Sequence, residues 1–94
     1  MNAAIEFTNF VGKKNVLCAF LYTGEKIFRL KRCYTQKTYE KFLKRLNFDY
    51  DDGYGGQELF GTIWFEDDTW AVRGEYDGSE WWEHIVRPEL PKGL

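Results

Sequence analysis

Residues 59–86 read LFGTIWFEDDTWAVRGEYDGSEWWEHIV. Three short runs in this stretch alternate apolar and polar side chains, and two turn signals part them: Glu66-Asp67-Asp68-Thr69 and Tyr76-Asp77-Gly78-Ser79. Successive side chains on a strand point to opposite faces, so the pattern predicts a three-stranded antiparallel meander. Asp77-Gly78 is the strongest local signal, because a two-residue type I′ hairpin loop needs positive φ at both central positions. All four tryptophans and the single histidine lie in the stretch. Alternation divides them. Trp81 aligns with Glu83 and Ile85, Trp82 with His84 and Val86, and Trp64 with Phe60 and Thr62. Aromatic side chains are therefore expected on both faces of the meander, and a face left open would be an interaction surface.

Upstream, residues 47–58, NFDYDDGYGGQE, are too rich in Gly and Asp for regular structure and read as a long loop. Before it, Thr35 has the chemistry of a helix N-cap. The helix should run from Gln36 to Leu46, with Tyr39, Phe42, Leu43 and Leu46 on one apolar stripe. Val16–Tyr22 is a short apolar run bounded by turns, which favours a buried strand. Ile27–Tyr34 alternates as a second strand, and Ala3–Val11 alternates weakly and is read as a third. Arg87-Pro88 ends the last strand, because proline cannot continue a ladder, and a surface tail is expected from about residue 87. The predicted fold is α+β, with antiparallel β meanders in βββ-α-βββ order and one helix packed on the sheet, in a single domain spanning 1–94.

Composition narrows the function classes. Aromatic residues make up 19% of the 94, enough to build a core in a short chain. No apolar run approaches the roughly 18 residues of a membrane span. The first residues lack a basic segment ahead of an apolar core, so no secretory signal is expected. Cys18 and Cys33 read as free thiols of a cytoplasmic protein. The net charge of −2 conceals a strong polarity. Residues 1–47 hold ten Lys+Arg against three Asp+Glu, a net of +7, whereas residues 48–94 hold three against twelve, a net of −9. Such asymmetry points to a charged partner, or to two halves that attract each other.

Each half supports a binding hypothesis. Lys13, Lys14, Arg29, Lys31, Arg32, Lys41, Lys44 and Arg45 would make a basic surface for nucleic acid, with aromatic rings to stack on bases, although an isoelectric point near 5.4 opposes this. Trp64, Glu66, Asp67, Asp68, Glu75, Asp77, Glu80, Trp82, Glu83 and His84 would make an acidic, Trp-rich surface for a basic protein. Asn47, Asp49, Asp51 and Glu58 fall at the first, third, fifth and twelfth places of a twelve-residue loop after a helix, as in an EF-hand. However, Asp52 stands where that loop needs glycine, and a strand follows instead of a helix. His84 sits among carboxylates, but the sequence holds no nucleophile motif beside it and no second histidine. Gly53-Tyr54-Gly55-Gly56 precedes a strand, which rules out a phosphate cradle at a helix start. Neither enzymatic activity nor a cofactor is expected.

The segment GTIWFEDDTWAVRGEYDGSEWWEHIVRPELP, and more loosely DYDDGYGGQELF, resembles a family of small proteins from bacteria, phages and mobile elements. The resemblance covers about a third of the chain and implies no activity. That family has Asp-Gly where this chain has Asp67-Asp68, so a tight primed turn is not implied there. It points toward phage biology, where small acidic inhibitors of host defence, including anti-CRISPR-like and DNA-mimic proteins, are common. The expected function is a non-enzymatic protein-binding domain that inhibits a host defence or nucleic-acid-binding protein. Nucleic-acid binding by the basic half is the alternative. The sequence leaves the oligomeric state open.

Overall fold

The computed structural model describes residues 1–51 and 56–93, so Asp52, Gly53, Tyr54, Gly55 and Leu94 lie outside the described residues. The element order is α1 (Ala3–Val11), β1 (Val16–Tyr22), β2 (Ile27–Leu30), α2 (Gln36–Arg45), β3 (Phe60–Phe65), β4 (Trp70–Tyr76) and β5 (Ser79–Ile85). The strands form one antiparallel sheet in the order β2-β1-β3-β4-β5. The β1–β2 hairpin is thus docked along β3 of the C-terminal meander.

The expected α+β class, with antiparallel strands and a helix on the sheet, matches the structure. The first element differs: Ala3–Val11 is a helix, so the order is αββαβββ and not βββ-α-βββ. Asn2 caps this helix, its side-chain oxygen accepting from the Ile5 N–H at 3.0 Å. Ala3, Phe7 and Val11 then recur every four residues as a buried stripe. The weak period-two pattern pairs Ile5 with Phe7, but Ile5 is exposed while Ala3, Phe7 and Val11 are all buried, as the helical stripe requires. The second helix keeps its predicted start. Thr35 Oγ1 accepts from the Thr38 N–H at 3.1 Å, and Lys44 and Arg45 stand in the last turn, where the helix dipole favours cations.

Two turns set the register of the meander. Asp77 and Gly78 have φ of 52° and 87°, as a type I′ loop requires. Between β3 and β4 the loop takes three residues, closed by Phe65 N–H to Thr69 O at 2.9 Å, with Asp68 left-handed at φ 66°. Strand β2 stops at Leu30, shorter than the expected Ile27–Tyr34, because the chain turns through Cys33 at φ 62°. Cys18 and Cys33 are both free.

Both helices lie on one face of the sheet. From α1, Phe7 meets Trp82 of β5 edge-on at 6.5 Å, and Phe10 lies against Phe65 of β3. From α2, Phe42 meets Phe7 at 5.4 Å, and Arg45 lies 5.1 Å over Phe28 of β2. The core beneath them includes Leu21, Leu30, Leu46, Leu59, Ile63 and Ala71. Among the described residues, no helix is long and apolar enough to cross a membrane.

Candidate functional site

Among the described residues, no helix lies over the other face of the sheet. Strand pairing sets its side chains in rows. One row runs Arg29–Phe20–Thr62–Val72–Glu83 from β2 to β5. A second runs Cys18–Trp64–Trp70–Ile85. Ile27, Tyr22 and Phe60 form part of a third. Trp64 is 40% exposed, Trp81 37%, Tyr22 40% and Ile27 49%. Tyr22 and Phe60 stack with centroids 5.2 Å apart, and Arg29 lies 5.6 Å over the Phe20 ring. A depression of about 510 Å³ beside Phe20, Tyr22, Lys26 and Ile27 continues this surface.

Gly74 shapes one side of the surface. A Cβ there would stand 2.4 Å from Trp81 Nε1. Its absence lets the Trp81 indole lie across β4, the cross-strand cover that an aromatic ring gives a strand glycine.

The expected protein-binding residues are divided by this geometry. Trp64 and Glu83 lie on the uncovered face. Asp67 and Asp68 rim one end of the sheet, and Glu75 and Asp77 rim the opposite end. Glu75 accepts from the Gly78 N–H at 2.9 Å, closing the hairpin turn. Glu66 and Asp67 share a cleft with Lys13 and Lys14, which offset part of their charge.

Glu80, Trp82 and His84 lie on the helix-covered side instead. Glu80 and Trp82 are buried and cannot meet a partner. Alternation separated Trp82 from Trp81, but it could not show which of the two faces the helices would cover. His84 is exposed and packs edge-on against Phe65. Its Nε2 lies 2.7 Å from Thr69 Oγ1, and that hydroxyl also bonds Asp67. Asp67 accepts from Thr69, and these hydrogen bonds hold its carboxyl below the usual carboxylate range. Thr69 thus links His84 to Asp67 at the β3–β4 end of the sheet.

Glu80 belongs to a buried network that the sequence did not reveal. Arg73 Nη2 is 3.0 Å from Glu80 Oε1 and 2.9 Å from the Tyr50 hydroxyl. Arg73 Nη1 pairs with Glu6 at 3.1 Å without hydrogen-bond alignment, and Tyr50 donates to Glu6. The Glu80 carboxylate also accepts from the backbone N–H groups of Glu58 and Leu59, at 2.6 and 3.1 Å. The Arg73 guanidinium stands 4.8 Å over the Trp82 ring. Burial opposes the charge on Arg73, but Glu6, Glu80 and Tyr50 outweigh it and raise the guanidinium pKa further. Burial and the hydrogen bond to Glu6 push the Tyr50 phenol far above its usual value. The network ties α1, the long loop, β4 and β5 together. Arg73 and Glu80 are seven residues apart across the β4–β5 hairpin, but Tyr50 lies 44 residues from Glu6 and 23 from Arg73, so no local pattern announces the whole network.

The basic candidates are also divided. Arg29 is on the uncovered face, Lys13 and Lys14 follow α1, Lys31 and Arg32 follow β2, and Lys41, Lys44 and Arg45 belong to α2 on the other side. Arg45 is held by Ile27 O at 3.0 Å. In the loop with EF-hand-like spacing, Asn47 bonds Asn2 and Glu58 accepts from the Asp51 N–H at 2.9 Å. Among the described residues, no three His, Cys, Asp or Glu side chains are grouped to hold a metal. Asp52 and the Gly53–Gly55 part of the glycine-rich segment lie outside the described residues.

No protein-family model, curated protein or solved structure matches the chain.

Proposed function

We propose that this chain is a non-enzymatic protein-binding domain and that the uncovered face of its sheet is the docking surface. One observation carries the reading: both helices pack on one side, leaving Trp64, Trp81, Tyr22 and Ile27 in solvent on the other. Monomeric proteins rarely expose apolar patches beyond a few hundred Å² unless something binds there. Rigid aromatic anchors are the side chains that dominate binding energies. The same rings could stack on nucleic-acid bases. Electrostatics favours a protein instead. Arg29, the one cation among the strand residues of this face, is offset by Glu83 on the same row, so the strands offer no excess positive charge to phosphates. The acidic rims formed by Asp67, Asp68, Glu75 and Asp77 would steer a basic partner. A phage or mobile-element inhibitor of a host nucleic-acid-binding protein would have this use for them. Two free cysteines suit a cytoplasmic setting.

The test is affinity capture with the purified chain, comparing Trp64→Lys on the uncovered face with Lys41→Glu on α2. Partner binding should be lost with Trp64→Lys and kept with Lys41→Glu. Tight, salt-sensitive binding of single-stranded DNA or RNA that depends on Trp64 would sink the reading.

A further inference from the structure

The uncovered face is self-complementary, and we infer that it pairs with the same face of a second copy of this chain, forming a two-sheet sandwich. The inference rests on the reading of this face as a docking surface and seats a second copy of the chain on it, leaving the acidic rims to meet a basic partner.

The geometry follows from the register. Arg29 on β2 and Glu83 on β5 occupy the two ends of one row, and β3 is the middle strand of the five. A two-fold axis in the interface plane, running along β3, turns a second sheet over onto the first. It brings β2 of one copy over β5 of the other while strand directions stay aligned, as in aligned sheet packing. Arg29 of each copy then faces Glu83 of the other, so the contact forms twice. Trp64 and Thr62, on β3, meet their own counterparts at the axis, as an isologous interface requires.

Charge agrees across the face. Among its strand residues Arg29 and Glu83 are the charged side chains, so the turned-over copy sets each cation over a carboxylate and opposes no like charges.

Area agrees as well. Five strands spaced about 4.8 Å apart and up to about 23 Å long give a plan area on the order of 500 Å². Side chains standing off the sheet enlarge the accessible area toward the roughly 800 Å² per partner of a stable interface. The acidic turns at Asp67-Asp68 and Glu75-Asp77 stay on the rim, free for another partner.

Charge reversal in mixed copies provides the test. Within one copy, Arg29 and Glu83 are four strand spacings apart, about 19 Å, too far to pair. In Arg29→Glu alone, two acidic groups face each other at both contacts, and in Glu83→Arg alone, two basic groups do. Sedimentation equilibrium over two decades of concentration should show a dimer for the parent chain. Each single variant should dimerise at least about tenfold more weakly. An equimolar mixture of the two variants should recover parental affinity. In the mixed dimer the introduced carboxylate of one copy faces the introduced guanidinium of the other, and the remaining Arg29 faces the remaining Glu83. Both positions are exposed, and matching thermal unfolding curves would show that the variants fold.

A parent chain that stays monomeric throughout overturns the pairing. So does a dimer indifferent to either reversal, or a mixture that fails to recover. If the chain is monomeric but still captures another protein through Trp64, only the pairing falls. If Trp64-dependent capture is also absent, the docking reading falls with it.

Discussion

Arg73 carries a full charge with only 2% of its side chain exposed, and it is held there by Glu6, Glu80 and the Tyr50 hydroxyl. Removing Glu80 leaves the buried guanidinium with Glu6 as its one remaining carboxylate, and a buried charge that loses a partner is costly. Glu80→Ala should therefore lower the unfolding free energy by about 3–5 kcal/mol in urea titrations. The Glu58 and Leu59 N–H groups lose their acceptor in the same change. Tyr50 adds a pH dependence. Its folded pKa lies above the ordinary value of 10.0, so the unfolded chain gives up this proton first. The stabilisation is complete below pH 10 and declines as pH rises beyond it. Tyr34 and Tyr39 are raised as well, with burial the main cause, and act with the same sign. Urea midpoints should fall above about pH 10, and Tyr50→Phe should make that fall shallower without abolishing it. Asp68 is the opposite case, a residue whose backbone costs stability. It is left-handed at φ 66°, where glycine has no Cβ penalty. Asp68→Gly should raise stability by about 0.5–1 kcal/mol in thermal unfolding.

At the scale of elements, the strands of the C-terminal meander and helix α2 were legible because each carries one clean period. The β4–β5 turn falls at Asp77-Gly78 as its sequence predicts, and Thr35 caps α2 as expected. Helix α1 was not legible as a helix. Its residues satisfy a helical stripe through Ala3, Phe7 and Val11 and a weak strand alternation through Ile5 and Phe7, and packing against Phe42 and Trp82 settles the choice. The β1–β3 junction depends on a glycine that alternation does not explain. At Gly61, with φ 142°, a Cβ would meet Phe20 O at 2.4 Å and the Leu21 Cα at 2.7 Å. Both contacts are backbone, so the strands themselves would have to part. Gly61→Ala should cost at least about 2 kcal/mol and loosen the β1–β3 seam, read by hydrogen exchange at Phe20 and Leu21.

Across the whole molecule, the sheet separates tryptophans that sit next to each other in sequence. Trp64 and Trp81 face solvent, whereas Trp82 is 7% exposed under α1. Acrylamide quenching at low protein concentration should read this division. Changing Trp64 and Trp81 to Phe should remove most of the quenchable emission, and Trp82→Phe should leave it. Sequence alone established the class of fold, the two hairpin turns of the meander and the assignment of Trp81 and Trp82 to opposite faces. All of these follow from contacts between near neighbours, where periodicity and turn chemistry act. Which face stays open, the burial of Glu80 with Arg73, and the placing of Arg29 and Glu83 at the two ends of one row required the folded chain. Arg73 and Glu80 are only seven residues apart across a hairpin, but their burial, like the other two features, is set by how distant helices and strands pack, a property that no local pattern encodes.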